Sequence, residues 1–161
     1  MLPAFENKIC PPEHLRERVE LLPTPRVFTN GVFDILHRGH VTYLAEARAL
    51  GASLIVAVNG DASVKRLKKG ADRPINTLRD RMAVVAALQS VDLVTWFDED
   101  TPLELIGICG PDVLVKGGDW KKDAIVGAKE VESRGGRVYS IPFQYATSTS
   151  SLLERVRREK P

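Results

Sequence analysis

Two histidines stand three residues apart around a glycine, His37 and His40 about Gly39, between a short apolar run and a helical pattern. Three residues is close to one helical turn, so both imidazoles can face the same way at the mouth of a helix. A helix start adds unpaired N–H groups and the positive end of a macrodipole, which suits a triphosphate. The lead-in is Thr29-Asn30-Gly31-Val32-Phe33-Asp34. Gly31 and Gly39 are places where a phosphate could approach the backbone closely. Zinc is the competing ligand, held by the two histidines with Asp34. The only further histidine is His14, in a separate segment, and no fourth ligand is in view. A structural pair fits less well still, because two histidines and a glycine in a strand-to-helix turn have little packing value.

Three more polar clusters follow apolar runs or open a helix. Asn59-Gly60-Asp61 leads into a basic stretch, Lys65-Arg66-Leu67-Lys68-Lys69, and then Arg73-Pro74. Alone it could be a solvated helix face; beside the histidine turn it can supply cations to a triphosphate or sugar phosphate, with Arg81 in the same patch. Lys116-Gly117-Gly118-Asp119 ends another apolar run. It reads either as an ordinary turn or as backbone cradling a nucleotide, with Lys116 pointing into the cleft. Ser148, Thr149 and Ser150 offer hydroxyls and N–H groups at a helix start, where Ser151 would also cap.

The elements that must hold these clusters can be read from periodicity. Apolar runs at Val27–Thr29, Ser53–Val58, Leu93–Phe97, Val113–Val115 and Arg137–Ile141 read as strands, and Ser53–Val58 is apolar enough to be buried on both faces. Helical patterns intervene. Val41, Leu44, Ala45 and Ala49 share one face, and Gly51 is expected to end that helix. Thr77 with Asp80, Thr101 with Glu104, and Ser151 with Glu154 read as helix-starting caps. Asp123–Arg134 reads as one helix stopped by Gly135-Gly136. Alternating strands and helices predict an α/β domain, a Rossmann-like three-layer sandwich on a five-stranded, mainly parallel sheet. Ligands bind such sheets at the carboxyl ends of the strands, where three of the four clusters sit. The division expected is an appended helix in residues 1–25 and the catalytic domain in residues 26–161.

Composition excludes other classes. The 161 residues carry 23 Lys+Arg against 21 Asp+Glu, and a net charge of +2 is too small to point to nucleic acid. No apolar stretch approaches membrane-spanning length, and Met1–Lys8 does not read as a secretory signal. Two distant cysteines, Cys10 and Cys109, read as packing residues in a reducing, cytoplasmic setting.

The His37–Gly39–His40 turn, preceded by Gly31, Phe33 and Asp34, resembles the HxGH signature of the nucleotidylyltransferase superfamily. The resemblance extends through the Asp61–Lys68 stretch, Arg73-Pro74-Ile75-Asn76, Asp100-Thr101-Pro102, Lys116–Asp119 and the Ser148–Ser150 triplet, nearly the whole chain. Its closest likeness is to bacterial heptose 1-phosphate adenylyltransferases. It implies His37, His40, Lys68 and Arg73 as the catalytic set. It implies Thr29, Asn30, Gly31, Phe33, Asp34, Gly39, Asn59, Asp61, Lys65, Lys116, Gly117, Gly118, Asp119, Ser148, Thr149 and Ser150 as the nucleotide-binding set. It also implies ATP and a sugar 1-phosphate as substrates, a homodimer, and a separate heptose kinase; Mg²⁺ on the phosphate oxygens would neutralise their charge, and Asp34 could either orient a histidine or reach that metal. A cytidylyltransferase of glycerol 3-phosphate, or a binding module that keeps the pocket without turnover, are the alternatives.

Overall fold

The computed structural model describes residues 3–67, 70, 72–145 and 148–158. Lys68 and Lys69, both named above, lie outside the described residues. Five strands form one sheet: β1 (Arg26–Gly31), β2 (Ser53–Asn59), β3 (Leu93–Phe97), β4 (Val113–Gly117) and β5 (Arg137–Ile141). Their order is β3-β2-β1-β4-β5, and every pairing is parallel. The sheet is thus wholly rather than mainly parallel.

The alternation of side chains along each strand builds two cores. Phe28, Ile55, Ala57, Leu93 and Leu114 face α1 (Leu15–Glu20), α5 (Leu103–Cys109) and α6 (Ala128–Ser133). Val27, Leu54, Val56, Val58 and Val115 face α2 (Arg38–Arg48) and α4 (Leu78–Ala86). Helices on both faces complete three layers. β2 is buried along its whole length, as a central parallel strand must be.

The chain leaves β1 toward β2 and β3, then crosses back to lay β4 on the other side of β1. Strand order therefore reverses between β1 and β4. That seam is paired only from Val27–Val113 to Thr29–Val115. Beyond it, Asn30 and Lys116 stand at the strand ends where a parallel sheet opens a crevice. The fold itself brings the first and third clusters together there.

Several local expectations are corrected. Helix α2 starts at Arg38, ahead of its apolar stripe, because His37 caps it. Gly51 does not end α2 through a left-handed backbone; a Cβ there would lie 2.4 Å from the Pro25 carbonyl oxygen, so the residue permits close passage of two loops. The region read as one helix from Asp123 is a 3-10 turn at Lys122–Ala124 followed by α6, separated where Gly127 takes φ of +84°. Thr77 does cap α4, its hydroxyl accepting from the Asp80 N–H. Thr101 does not cap α5, whose capping position is Pro102. The basic stretch begins as a short helix, α3 (Asp61–Arg66). The last helix, α7 (Thr149–Arg158), starts before Ser151; Ser148 and Ser151 exchange side chain-to-backbone bonds at 3.0 and 3.1 Å across its first turn.

Residues preceding β1 reach both faces: Cys10, Leu15 and Val19 join the α5–α6 core, Phe5 and Ile9 pack on the α2–α4 core, and Ile9 bridges to Val94, covering the edge strand β3. Cys10 and Cys109 are free and buried in the same core, and burial pushes the Cys109 thiol up to about 12. Among the described residues no helix is long and apolar enough to cross a membrane.

Candidate functional site

A cleft of about 360 Å³ opens at the β1/β4 crevice. Its lining draws on every part of the chain that carried a polar cluster except the Asn59–Lys65 stretch. β1 and the turn after it contribute Asn30, Gly31, Phe33 and Asp34; α2 and its cap contribute His37 and His40. β4 contributes Lys116 and Gly117, and the start of α7 contributes Ser148, Thr149 and Ser150. Two helix N-termini, those of α2 and α7, therefore meet one crevice and turn the positive ends of their dipoles to it, although in α2 the Gly39 and His40 N–H groups are already taken by His37.

The histidine turn is held from within. His37 takes an extended backbone before α2, and its Nδ1 accepts from the Gly39 N–H at 3.1 Å. An accepting Nδ1 places the ring proton on Nε2. The His37 and His40 rings lie 4.0 Å apart, tilted 38°, so the spacing does place them side by side. The edge of Phe33 meets His40 at 5.5 Å. Phe33 has φ of +49°, a costly conformation for a bulky residue, which turns its ring back over Gly31. A Cβ on Gly31 would sit 2.9 Å from that ring, so the missing side chain there makes room for Phe33.

Burial lowers the pKa of both histidines, and His40, which also faces His37, comes down to about 4. Near neutral pH the pair is uncharged, and it offers N–H dipoles rather than cations. The folded pKa lies below the unfolded value of about 6.5. Between them the unfolded chain binds protons that the native protein refuses. Stability of the free protein is accordingly expected to fall as pH drops from about 6.5 toward 4 and to level off below. Thermal unfolding at a series of pH values checks this; in His40→Gln the slope across that window should shrink, and an unchanged slope would assign the effect elsewhere.

Asp34 is fully enclosed. Its carboxylate accepts from Arg73 Nε at 2.5 Å and from the Ile75 and Asn76 N–H groups at 2.9 to 3.0 Å. Burial alone would raise its pKa, but the two backbone donors and the Arg73 guanidinium together bring it below the usual value. Arg73 lines the cleft while spending its Nε on this pair. Arg81, also buried, donates to Val32 O, Asn76 O and Asp61 Oδ1. It ties the β1 turn to the starts of α3 and α4. Asp61 is thus part of the wall's support.

Other named residues stand at varying distance from the cleft. Thr29 is buried behind it, its hydroxyl 2.5 Å from the Tyr43 OH. Gly39 is buried within α2; Gly118, Asp119 and the exposed Lys65 do not line the cleft. Arg66 points the other way, to Asp100 and the Asp98 carbonyl. Lys116 Nζ donates to Asn30 Oδ1 at 3.3 Å, spanning the seam. Among the described residues no cluster of histidine, cysteine and carboxylate groups could hold a metal ion.

A second, more apolar cleft of about 430 Å³ shares a wall with the first at Asn30, Gly31, Val32, Lys116 and Trp120. Asn59, Phe97, Asp100 and Thr101 line its far side. Trp120, Phe143 and Tyr43 in the first cleft were not expected from sequence. The fold contacts that bring Tyr43 and Phe143 to Gly117 join segments far apart in the chain and leave no local pattern.

The cytidylyltransferase-like family model matches residues 28–154. A D-beta-D-heptose 1-phosphate adenylyltransferase of Bordetella bronchiseptica is 56% identical over 156 residues, covering 96% of each chain. The bifunctional protein HldE of Escherichia coli is 55% identical over 134 residues, 83% of this chain but 28% of that protein, so the present chain corresponds to a minor part of it. Among solved structures, a lipopolysaccharide core biosynthesis protein from Thermoplasma volcanium superposes with a TM-score of 0.61 at 30% identity, covering 76% of this chain and 98% of that one. A pantoate-beta-alanine ligase from Francisella tularensis gives the same score at 14% identity, which speaks to fold alone.

Proposed function

The chain belongs to the cytidylyltransferase-like family, and from that premise we propose that it transfers AMP from ATP to a heptose 1-phosphate, releasing pyrophosphate and ADP-heptose for lipopolysaccharide core synthesis. The family's name notwithstanding, the relative matched at 56% over almost the whole chain is an adenylyltransferase, so the cytidylyl alternative is not favoured. The observation that carries the reading within the structure is the meeting of His37, His40 and two helix N-termini at the strand reversal, beside a second cleft.

In this reading ATP occupies the first cleft and the sugar phosphate the second, with their phosphates meeting at the shared wall of Asn30 and Lys116. The sugar phosphate, with a second pKa of about 6, is largely a dianion at neutral pH and needs no general base. Its oxygen attacks the α-phosphorus in line, the bond to the β-phosphate oxygen breaks, and pyrophosphate leaves. The difficulty is negative charge. His37 and His40 donate to the α-phosphate and the departing oxygen, and Lys116, Arg73 and Lys68 offset the charge that builds there. Ser148, Thr149 and Ser150 hold the terminal phosphates at the start of α7. Asp34 fixes Arg73 and the turn around it; its oxygens are already occupied by Arg73, Ile75 and Asn76. The enclosed Asp34 and the lack of a ligand cluster among the described residues do not suit a metal held by the protein. Mg²⁺ fits instead as the counter-ion arriving on the triphosphate, where it supplies charge neutralisation. A cytoplasmic homodimer supplied by a separate heptose kinase completes the proposal.

Pyrophosphate release measured with ATP or CTP against heptose 1-phosphate or glycerol 3-phosphate tests it. Release is expected with ATP and the heptose phosphate. Release with CTP and glycerol phosphate instead would overturn the substrate assignment, and a nucleotidylated enzyme trapped with ATP alone would overturn direct transfer.

A further inference from the structure

The nucleotide reading leaves the aromatic part of the first cleft without a role. At the end of β4, Trp120 and Phe143 flank Gly117 and Gly118. A Cβ on Gly117 would lie 2.7 Å from the Phe143 ring, and one on Gly118 would lie 2.9 Å from the Trp120 indole nitrogen. Each side chain is 49% exposed, although large rings in a domain of this size usually find cover.

Both rings are nevertheless held in place. The Trp120 indole N–H donates to the Gly117 carbonyl at 3.1 Å, and its backbone N–H to Ser140 Oγ at 2.9 Å. Phe143 meets the edge of Tyr43 at 5.7 Å. Tyr43 is itself buried, its hydroxyl bonded to Thr29 and to the Val115 carbonyl. The indole has spent its only donor on the backbone, and a phenyl ring has none. What remains to a ligand is apolar face, in a cleft whose other groups suit phosphates. A nucleoside triphosphate has those two parts, a polyanionic tail and a flat aromatic head.

Resting on the nucleotidyl-transfer reading, we propose that Trp120 and Phe143 form the nucleobase clamp, and that they favour a purine over a pyrimidine by stacked area rather than by hydrogen bonding. Phe143 borders only the first cleft, which assigns the pair to the nucleotide; Trp120 borders both and separates the base from the acceptor sugar.

The chain has two tryptophans, and Trp96 lies on β3 away from both clefts, so Trp96→Phe leaves Trp120 as the reporter. In that background, the non-transferable analogue AMPCPP, its cytosine counterpart CMPCPP, inorganic tripolyphosphate and heptose 1-phosphate are titrated with Mg²⁺, by fluorescence and by calorimetry. AMPCPP is expected to quench Trp120 and tripolyphosphate to bind without quenching. Phe143→Ala should weaken AMPCPP about ten- to a hundredfold, the scale of one lost base–aromatic stack, leave tripolyphosphate within about twofold, and narrow the gap between AMPCPP and CMPCPP. AMPCPP that competes with tripolyphosphate but neither quenches Trp120 nor responds to Phe143→Ala would overturn the clamp while sparing the transfer reaction. Quenching by heptose 1-phosphate and not by AMPCPP would overturn it too. Failure of AMPCPP to bind at all would remove the nucleotide reading and the clamp with it. Phe143→Leu, which keeps apolar bulk, guards against misfolding and should lie between the wild type and Phe143→Ala.

Discussion

Replacing His40 with alanine should lower kcat about a hundred- to a thousandfold while leaving the protein folded. Its ring stands in the first turn of α2, 4.0 Å from that of His37, and its pKa of about 4 keeps it neutral at working pH. Removing one pre-aimed donor to a developing anion costs about 2.7–4 kcal/mol of transition-state stabilisation in comparable sites. The ring is only half-buried and α2 is capped by His37 instead, so the substitution should scarcely move the melting temperature. Pyrophosphate release and circular dichroism on the same preparation check both halves. A rate loss below about tenfold, or roughly 1.4 kcal/mol, would end the role given to His40.

Arg73→Met should be the most destabilising single change near the cleft. It leaves the Asp34 carboxylate enclosed with backbone donors but no cation. Breaking a buried pair from one side costs about 3–5 kcal/mol, because the remaining charge is not compensated. At a few degrees per kcal/mol for a domain of this size, the melting temperature should drop by roughly 6–20 °C. Activity should fall with it, since the Ile75–Asn76 turn hangs on Asp34. Adding Asp34→Asn to Arg73→Met should restore part of the loss if uncompensated charge is the cause. A double variant no more stable than the single one would point to lost packing of the guanidinium instead. The sign with pH follows from the lowered Asp34 pKa. The pair's contribution is present above the usual carboxylate range and is lost as pH falls through the folded value.

Most of what positions the site could be read from the chain, and the exceptions have physical reasons. β2, β3 and β5 announce themselves because apolar runs between turn residues have few other uses, and β3 and β5 run as expected from Leu93 to Phe97 and from Arg137 to Ile141. The histidine spacing carried real geometry, since the capping His37 and the first-turn His40 do lie side by side, although His37 is extended and stands outside the helix. The tertiary use of side chains was hidden. Arg73 and Arg81 look like two more cations of a basic patch, yet each is buried on a carboxylate, Asp34 and Asp61. A charge run says nothing about which members will find partners dozens of residues away. Gly31 reads as room for a phosphate and Gly51 as a helix stop, yet a Cβ on either would meet a neighbour in space, Phe33 or Pro25, that no local pattern announces. Trp120 and Phe143 were invisible for the same reason: a lone aromatic in a loop has no period.

The reversal of strand order between β1 and β4 also bears on how the protein comes to be folded. Asn30 and Lys116, whose side chains meet across that seam, are 86 residues apart. Neither half of the chain can present the crevice by itself, since one carries the histidine turn and the other carries β4 and α7. Competence to grip a ligand must therefore appear late, in the step that docks β4 against β1, after the more local β1–β2–β3 pairing has had the chance to form. A bound nucleotide would act as a clasp on that last step. It would slow the parting of the two halves more than the fraying of either, so substrate should protect the weakest joint of the sheet first.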